Sequence, residues 1–270
     1  MRVSTARRIS ANLRKSSSLP TVQALRAAKL ASAAYEPWEK CKEICEAQGF
    51  NRFEYFDDGN VQAFVAANSL EMVYCFAGTN EIADWATNLD LHKRLFIDVR
   101  NLFLRMKVHS GFLKATESIR EQMYFLMVDW FRPGMKLTGV GHSYGAAICT
   151  LFTYKLALGN PEVFLFGCPR VGNKAFAKEY NLRHGNKTWR IVNANDCVSR
   201  VPPWRWGFRH IGRVAYLDWR GRLRSEPSFL RRGWNQIVGR IHKLWTLRIL
   251  FSGVSDHGMG AYIRKLSKFL

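Results

Sequence analysis

The chain has 270 residues, enough for one large domain or two small ones, and its 47% hydrophobic and 23% charged residues argue against a disordered or coiled-coil protein. No run approaches the roughly 18 apolar residues of a membrane-spanning helix. The unusual number is a formal net charge of +20, from 41 Lys and Arg against 21 Asp and Glu, which predicts an anionic partner such as nucleic acid or a lipid surface.

The positive charge is concentrated in two segments. Residues 1–35 contain seven Lys or Arg and no acidic residue, and residues 200–250 contain twelve against only Asp218 and Glu226. Residues 1–20 are rich in Arg and Ser and lack the apolar run of a secretory signal peptide. They are therefore predicted to be either an organellar presequence or a disordered basic tail, ahead of a single domain over residues 21–270.

Hydrophobic spacing predicts alternating strands and helices after an initial helix over residues 21–35. The predicted strands are Phe53–Phe56, Val61–Ala66, Met72–Ala77, Met135–Val140, Val163–Phe166 and Trp189–Val192, and the predicted helices are Gly111–Trp130, Ser143–Leu158 and Val171–Tyr180. Asp58-Gly59 marks a hairpin between the first two strands. The alternation predicts an α/β fold with a mostly parallel central sheet and helices on both faces.

Two of the six cysteines, Cys41 and Cys45, stand one helical turn apart. They could bind a metal ion, but no second pair or nearby His completes a site, so no metal is expected. Since no secretory signal is evident, reduced thiols are the default expectation.

The pentapeptide Gly141-His142-Ser143-Tyr144-Gly145 matches the pattern G-x-S-x-G. It follows the apolar strand LTGV and opens the apolar helix AAICTLFTYKLAL. A sharp turn from strand to helix exposes the hydroxyl of its middle residue, so Ser143 is the candidate nucleophile.

A serine nucleophile needs a general base that is held by an acid, and on this kind of elbow the order along the chain is Ser, Asp, His. His257 lies in a loop of small residues before a final helix and is the candidate base. Asp196 directly follows a predicted strand, where catalytic groups of parallel sheets collect, and is the candidate acid. Asp218 is the alternative acid, while Asp256 is expected to support the loop.

Several separate motifs resemble the class 3 lipases, the fungal-type triacylglycerol lipase family of α/β-hydrolases. The matching segments are Phe76-Ala77-Gly78-Thr79, Asp84-Trp85 with Asn88, Val108-His109-Ser110-Gly111-Phe112, the run from Phe166 to Asn173, the acid block Asn193 to Pro203 and the histidine block Ser255 to Tyr262. The resemblance covers about residues 22–215 and 252–265, in the family's order. It implies the α/β-hydrolase fold.

The resemblance also implies roles for five residues: Ser143 as nucleophile, Asp196 as acid, His257 as base, and Thr79 and Tyr144 as donors of the oxyanion hole. The family hydrolyses carboxylic esters of lipids, often at an interface, with a mobile lid and no cofactor. This chain departs from the family pattern at two positions: Tyr144 replaces the usual Leu, and Ala146 replaces the usual Gly. The bulky tyrosine is expected to narrow the acyl pocket.

Two further segments each leave two interpretations open. Residues 95–108 mix apolar and basic residues and are either a lid or a connector packed on the core. The insert of about residues 204–251 contains a basic amphipathic helix with Trp234 and Trp245 near its apolar face. That helix either lies in an anionic lipid interface or packs against the core.

The sequence therefore predicts a serine hydrolase of lipid esters, a triacylglycerol lipase or a phospholipase A1-like enzyme, without cofactor or metal. Its expected partners are a lipid ester and an anionic membrane or lipid-droplet surface. A non-catalytic lipid-binding protein on the same fold is the alternative, and nucleic acid is disfavoured because no nucleic-acid-binding signature accompanies the charge. The expected location is intracellular, either peripheral to a membrane or cytoplasmic, with organellar import possible.

Overall fold

A computed structural model describes residues 19–78, 93–96, 105–225 and 256–270. The helices in these ranges are α1 (Thr21–Ala33), α2 (Trp38–Ala47), α3 (Ser110–Trp130), α4 (Tyr144–Lys155), α5 (Lys174–His184) and α6 (Met259–Leu266). The strands are β1 (Arg52–Asp57), β2 (Gln62–Ala67), β3 (Glu71–Phe76), β4 (Lys93–Leu95), β5 (Lys107–His109), β6 (Lys136–His142), β7 (Glu162–Phe166), β8 (Gly172–Asn173), β9 (Thr188–Asn193), β10 (Phe208–Arg209), β11 (Arg213–Leu217) and β12 (Leu223–Ser225). None of the helices described here is both long and apolar enough to cross a membrane.

The main sheet has the strand order β1-β2-β3-β6-β7-β9-β11-β12. From β3 to β11 each strand runs parallel to its neighbour, whereas β1, β2 and β12 pair antiparallel at the two edges. A smaller antiparallel sheet, in the order β10-β8-β5-β4, lies beside it. The mostly parallel sheet confirms the predicted α/β class, because parallel neighbours need crossover connections such as helices.

Side chains alternate between two cores, one on each face of the main sheet. Along β3, Met72, Tyr74 and Phe76 lie in the core that α3, α4 and α5 cover, while Val73 and Cys75 lie in the core that α1, α2 and α6 cover. Both sets are buried because successive residues of a strand point to opposite faces. Helices cover both faces of the sheet, as predicted. The loops that follow the parallel strands therefore lie at the carboxyl edge of the sheet.

Most predicted elements form within a few residues of their predicted bounds, but α2 was missed. Only Cys41 and Cys45 are buried along this helix, and its remaining residues are charged or half-exposed. One pair of small apolar residues is too short a stripe to produce a clear helical period. Both thiols pack in the core as free cysteines.

The stretch 95–108, which was predicted to be a lid or a connector, is described at its two ends. Phe96, Met106 and Val108 are buried in the core of the α3 face, and the Phe96 ring packs edge-on against Tyr154 with 5.2 Å between ring centroids. These two ends are therefore core-packed connector. Residues 97–104 lie outside the described residues.

The predicted insert 204–251 is described as far as residue 225. Here β11 pairs with β9 and β12 forms the edge of the main sheet, so this part belongs to the core of the fold. The amphipathic stretch with Trp234 and Trp245 lies outside the described residues, as does most of the basic segment 1–20. Their roles and the domain boundaries stay predictions.

The aromatic packing over β3 generates a test of stability. The Phe152 ring of α4 is buried, with 5.3 Å between its centroid and that of each of Tyr74 and Phe76. We expect Phe152→Ala to lower the free energy of unfolding by about 3–5 kcal/mol, because it leaves a cavity in a close-packed core. Phe125→Ala, at a side chain 69% exposed on α3, should stay within about 0.5 kcal/mol of wild type. Urea unfolding followed by circular dichroism measures both, and equal losses would contradict this packing.

Candidate active site

The sharp turn predicted between strand and helix joins β6 to α4. Ser143 has φ 56° and ψ −126°, a backbone conformation that is uncommon for any residue with a Cβ. A Cβ on Gly141 would lie 2.7 Å from the Gly145 carbonyl oxygen, and a Cβ on Gly145 would collide with the carbonyls of Phe76 and Ala77. Glycine at both positions therefore permits the turn and its close approach to β3.

Asp196 and His257 form a fully buried hydrogen-bonded pair, although 61 residues separate them in the sequence. Asp196 follows β9 and His257 lies directly before α6. The His257 Nδ1–H donates to Asp196 Oδ1 over 2.9 Å, which fixes the tautomer and leaves Nε2 as the proton acceptor. This is the arrangement that orients a histidine as a general base.

Two further donors hold the Asp196 carboxylate in place. The Val198 N–H donates to Oδ1 over 2.9 Å, and the Tyr262 hydroxyl of α6 donates to Oδ2 over 2.5 Å. Burial and the neighbouring carboxylate raise the pKa of Tyr262 well above its ordinary value, so the phenol remains a donor. With both oxygens bonded, the carboxylate is satisfied without water.

Gly167, at the end of β7, lets the backbone pass close to this pair. It has φ 57°, and a Cβ there would lie 2.6 Å from His257 Cε1 and 2.7 Å from Asp196 Oδ2. Sequence reasoning did not assign roles to Gly167 and Tyr262, although both lie within motifs that carried the resemblance. Only their distances to the pair reveal what they do.

Ser143 Oγ and His257 Nε2 are both buried and have no hydrogen-bond partner within the described part of the chain. Leaving a polar atom buried without a partner costs about 1–3 kcal/mol. Nucleophile and base often show such loose geometry before a substrate is bound. These two atoms without partners are therefore compatible with a catalytic site that has no substrate bound.

The oxyanion residues predicted from the resemblance are only partly described. Thr79 lies outside the described residues, but Gly78, which precedes it, reaches the elbow: a Cβ on Gly78 would lie 2.8 Å from the Ser143 Cβ. Tyr144 is the first residue of α4, where backbone N–H groups have no acceptor within the helix. Its ring packs edge-on against Phe112 with 5.5 Å between centroids, and burial raises the pKa of its phenol to about 12.

A chain of hydrogen bonds connects three segments behind the elbow. The His142 Nε2–H donates to the His257 carbonyl over 2.8 Å, because a carbonyl oxygen can only accept. His142 Nδ1 then accepts from the Tyr35 hydroxyl over 2.5 Å, and the Tyr35 oxygen accepts from the Gly78 N–H over 2.9 Å. This relay ties the backbone of the candidate base to the backbone beside Ser143.

His142 is held neutral in this relay. Burial, and next the nearby His257, lower the pKa of His142 to about 3. The two imidazole rings stack with 4.5 Å between centroids, so two positive charges there would repel strongly. A neutral His142 therefore places no positive charge beside the His257 ring.

The alternative acid Asp218 is engaged elsewhere. It is fully buried in the turn between β11 and β12, where its Oδ2 accepts from Arg222 Nε over 2.9 Å. Asp256 supports the loop, as expected: its Oδ2 accepts from the Asn195 N–H over 3.2 Å. Asp196 is thus the described carboxylate that contacts His257.

A serine at a strand-to-helix elbow and a buried Asp–His pair, all at the carboxyl edge of one mostly parallel sheet, are arranged as the α/β-hydrolase fold arranges them. Residues 73–206 match the family described as lipase (class 3). This matched region, about half of the chain, belongs to the class 3 lipase family, as the sequence motifs predicted.

Two relatives show the extent of the similarity. The chain is 29% identical over 164 residues to a secreted mono- and diacylglycerol lipase of Fusarium solani, covering 58% of this chain and 48% of that protein. It is 33% identical over 151 residues to a lipase of Rhizomucor miehei, covering 53% of this chain and 40% of the relative. The chain thus spans about half the length of these curated relatives.

A solved structure shows the same fold. The triacylglyceride lipase of Rhizomucor miehei superposes with a TM-score of 0.62 at 24% identity, covering 73% of this chain and 80% of that one. This likeness confirms the α/β-hydrolase fold that the sequence motifs implied.

The predicted intracellular location is wrong. Relatives of this chain from Fusarium solani, Malassezia restricta and Malassezia globosa are named as secreted lipases. The prediction rested on the lack of a recognisable secretory signal in residues 1–20 and of a membrane-spanning run, and neither outweighs these relatives.

The neutral His142 generates a prediction about pH. The unfolded chain takes up a proton at His142 below about pH 6.5, whereas the folded protein does so only near pH 3. Between these values the unfolded state binds more protons, so stability falls as the pH is lowered, by about 1.4 kcal/mol per pH unit from this group. His142→Gln should remove that slope.

The free energy of urea unfolding, measured across this pH window for both proteins, tests the prediction. Wild type should lose stability more steeply than His142→Gln as the pH is lowered. Parallel curves would show that His142 is not held neutral by the fold.

Proposed function

We propose that this protein hydrolyses carboxylic esters of lipids through a Ser143–His257–Asp196 triad and an acyl-enzyme. The observation that carries the proposal is the buried Asp196–His257 pair beside a strained serine elbow. The relatives named as mono- and diacylglycerol lipase and as phospholipase A1 support glycerolipids as the substrate class.

In the first half of the reaction, His257 Nε2 takes the proton of Ser143 as its oxygen attacks the ester carbonyl carbon. The Asp196 carboxylate stabilises the imidazolium that forms. His257 then gives the proton to the departing alcohol, and the acyl group stays on Ser143. In the second half, His257 takes a proton from the water that attacks the acyl carbon, then returns it to Ser143 Oγ as the bond to the fatty acid breaks.

The oxyanion is stabilised by backbone N–H groups of Tyr144 and Thr79 in this proposal. Tyr144 stands at the amino end of α4, where the helix dipole also favours negative charge. Each such donor lowers the barrier by roughly 3 kcal/mol. Because Ser143 and His257 are fully buried, a substrate reaches them only after the covering residues move.

The lipid itself is expected to lie in an aggregate, so the partner in this proposal is an anionic membrane or lipid-droplet surface. The net charge of +20 supports such a surface over a neutral one. The alternative, a non-catalytic lipid-binding protein on this fold, differs in one measurable way. Only an activated serine reacts with a fluorophosphonate probe. A wild-type protein that the probe does not label would favour the alternative.

Ser143→Ala should reduce hydrolysis of a short p-nitrophenyl ester by roughly 10⁴-fold or more, because it removes the nucleophile. Ser118→Ala, at an exposed serine of α3, is the matched control and should retain the wild-type rate. The release of p-nitrophenol measures both. A wild-type rate in Ser143→Ala would refute the triad.

Gly167→Ala should lower kcat on the same ester by roughly a hundredfold, since its Cβ displaces His257 and Asp196. Gly134→Ala is the control: Gly134 has φ 92°, but a Cβ there meets nothing within 4 Å. Both variants carry the strain of a left-handed conformation, about 1–2 kcal/mol, and only the first touches the site. Equal kcat values in the two variants would mean that the close approach at Gly167 is irrelevant to catalysis.

A further inference from the structure

Two exposed tryptophans lie on one short turn after the candidate acid. Trp204 is 58% exposed and Trp206 is 47% exposed, on the 3-10 turn Trp204–Trp206. Two solvent-exposed indole rings on one turn are unusual, because tryptophan is mostly buried. Indole is apolar with one polar N–H, a combination that favours the boundary between water and lipid.

The turn is held rigidly from beneath by two arginines. The Arg170 guanidinium donates to the carbonyls of Arg200 and Pro202, the latter over 2.8 Å. The Arg209 guanidinium donates to the carbonyls of Trp204 and Phe208, the former over 2.8 Å. These bonds bind the backbone on both sides of the turn. The backbone of the turn therefore loses little conformational freedom when the turn meets a partner.

The backbone of the turn is also internally satisfied. The Trp206 N–H donates to the Pro203 carbonyl and the Gly207 N–H donates to the Trp204 carbonyl, each over 3.0 Å. Gly207 closes the turn with φ 81°, a conformation that favours glycine. A turn with these bonds loses less on dehydration than an open loop would, because fewer polar groups are stripped of water.

The surroundings of the two rings are positively charged. No acidic residue occurs from 197 to 217, while this stretch contains Arg200, Arg205, Arg209 and Arg213. The Arg205 guanidinium lies over the Trp204 ring, 5.7 Å from its centroid. Cations beside interfacial aromatics complement the negative headgroups of a lipid surface.

The turn lies on the same side of the molecule as the candidate site. It belongs to the loop that begins at the carboxyl end of β9 and contains Asp196. That loop continues into β10, which pairs with β8, and β8 follows the loop that contains Gly167. The turn therefore follows, along the chain, the same carboxyl edge of the sheet that carries Ser143 and Asp196.

We propose that Trp204, Arg205 and Trp206 form a docking turn that inserts its indole rings into an anionic phospholipid surface. The inference rests on the proposed function and deepens it by assigning the residues that contact the anionic surface. The indole rings supply binding to any phospholipid surface. Arg205 supplies the preference for a negative one, worth roughly fivefold in affinity for a single cation near the headgroups.

The test measures binding of the full chain to vesicles in the Ser143→Ala background, so that lipid is not consumed. Vesicles of phosphatidylcholine are compared with vesicles of phosphatidylcholine and phosphatidylserine, by flotation and by the blue shift of tryptophan fluorescence. Trp204→Ala with Trp206→Ala should weaken binding to both vesicles at least tenfold. Arg205→Gln should weaken binding to the phosphatidylserine vesicles alone, by roughly fivefold.

Trp38→Ala is the matched control, because Trp38 is 52% exposed on α2 but stands among Glu36, Glu39 and Glu43. It should bind both vesicles as the parent does. Equal weakening by Trp38→Ala, or unchanged binding of the double tryptophan variant, would overturn the docking turn. A lower mass of the double tryptophan variant by light scattering, with unchanged vesicle binding, would also overturn it and would make the turn a contact between copies of the chain. Binding of the parent protein to duplex DNA in place of vesicles would overturn it as well.

Activity separates this inference from the proposed function. With Ser143 present, the double tryptophan variant should hydrolyse a soluble short ester at the wild-type rate and an emulsified lipid at least tenfold more slowly. Equal rates of the variant and wild type on the emulsion overturn the docking turn and leave the hydrolase intact. Loss of ester hydrolysis in every protein, wild type included, overturns the hydrolase, while the vesicle measurements still decide the turn.

Discussion

The site depends on the close approach of backbones at the carboxyl edge of the main sheet. Gly145 lies so near the carbonyls of β3 that a Cβ there would overlap them, and Gly167 lies equally near the Asp196–His257 pair. Side chains at these positions would push the strand ends apart and misplace Ser143 relative to His257. The glycines thus set the distances within the candidate triad, and the rest of the fold presents the strands at the spacing that makes this contact possible.

Burial and its neighbours hold His142 neutral beside the candidate base. His142 stacks on His257, is buried, and donates one ring proton to the His257 carbonyl, which leaves its other nitrogen to accept from Tyr35. A neutral ring in that position orients the loop of the base without competing for its proton. Asp196, bonded on both oxygens, supplies the compensating negative charge for the imidazolium that the proposed reaction forms.

Much of the fold was predictable because its strands and longer helices have strong periods. The helix over residues 110–130 and the strands β2, β3, β6 and β7 carry enough apolar residues at regular spacing to be recognised. The two-residue strands β8 and β10 are too short for any period to appear. They form because tertiary neighbours pair with them: β8 lies between β5 and β10 in the small sheet.

By itself, the sequence determined the class of fold, the elbow and the order of Ser143, Asp196 and His257, because these follow from local pattern and from motifs along the chain. Only the tertiary structure decided what each of these residues touches. Tyr262 bonds Asp196 from 66 residues away, and Tyr35 bonds the elbow from 107 residues away. Such contacts leave no local period or spacing, since they depend on how separate strands and helices come together in space.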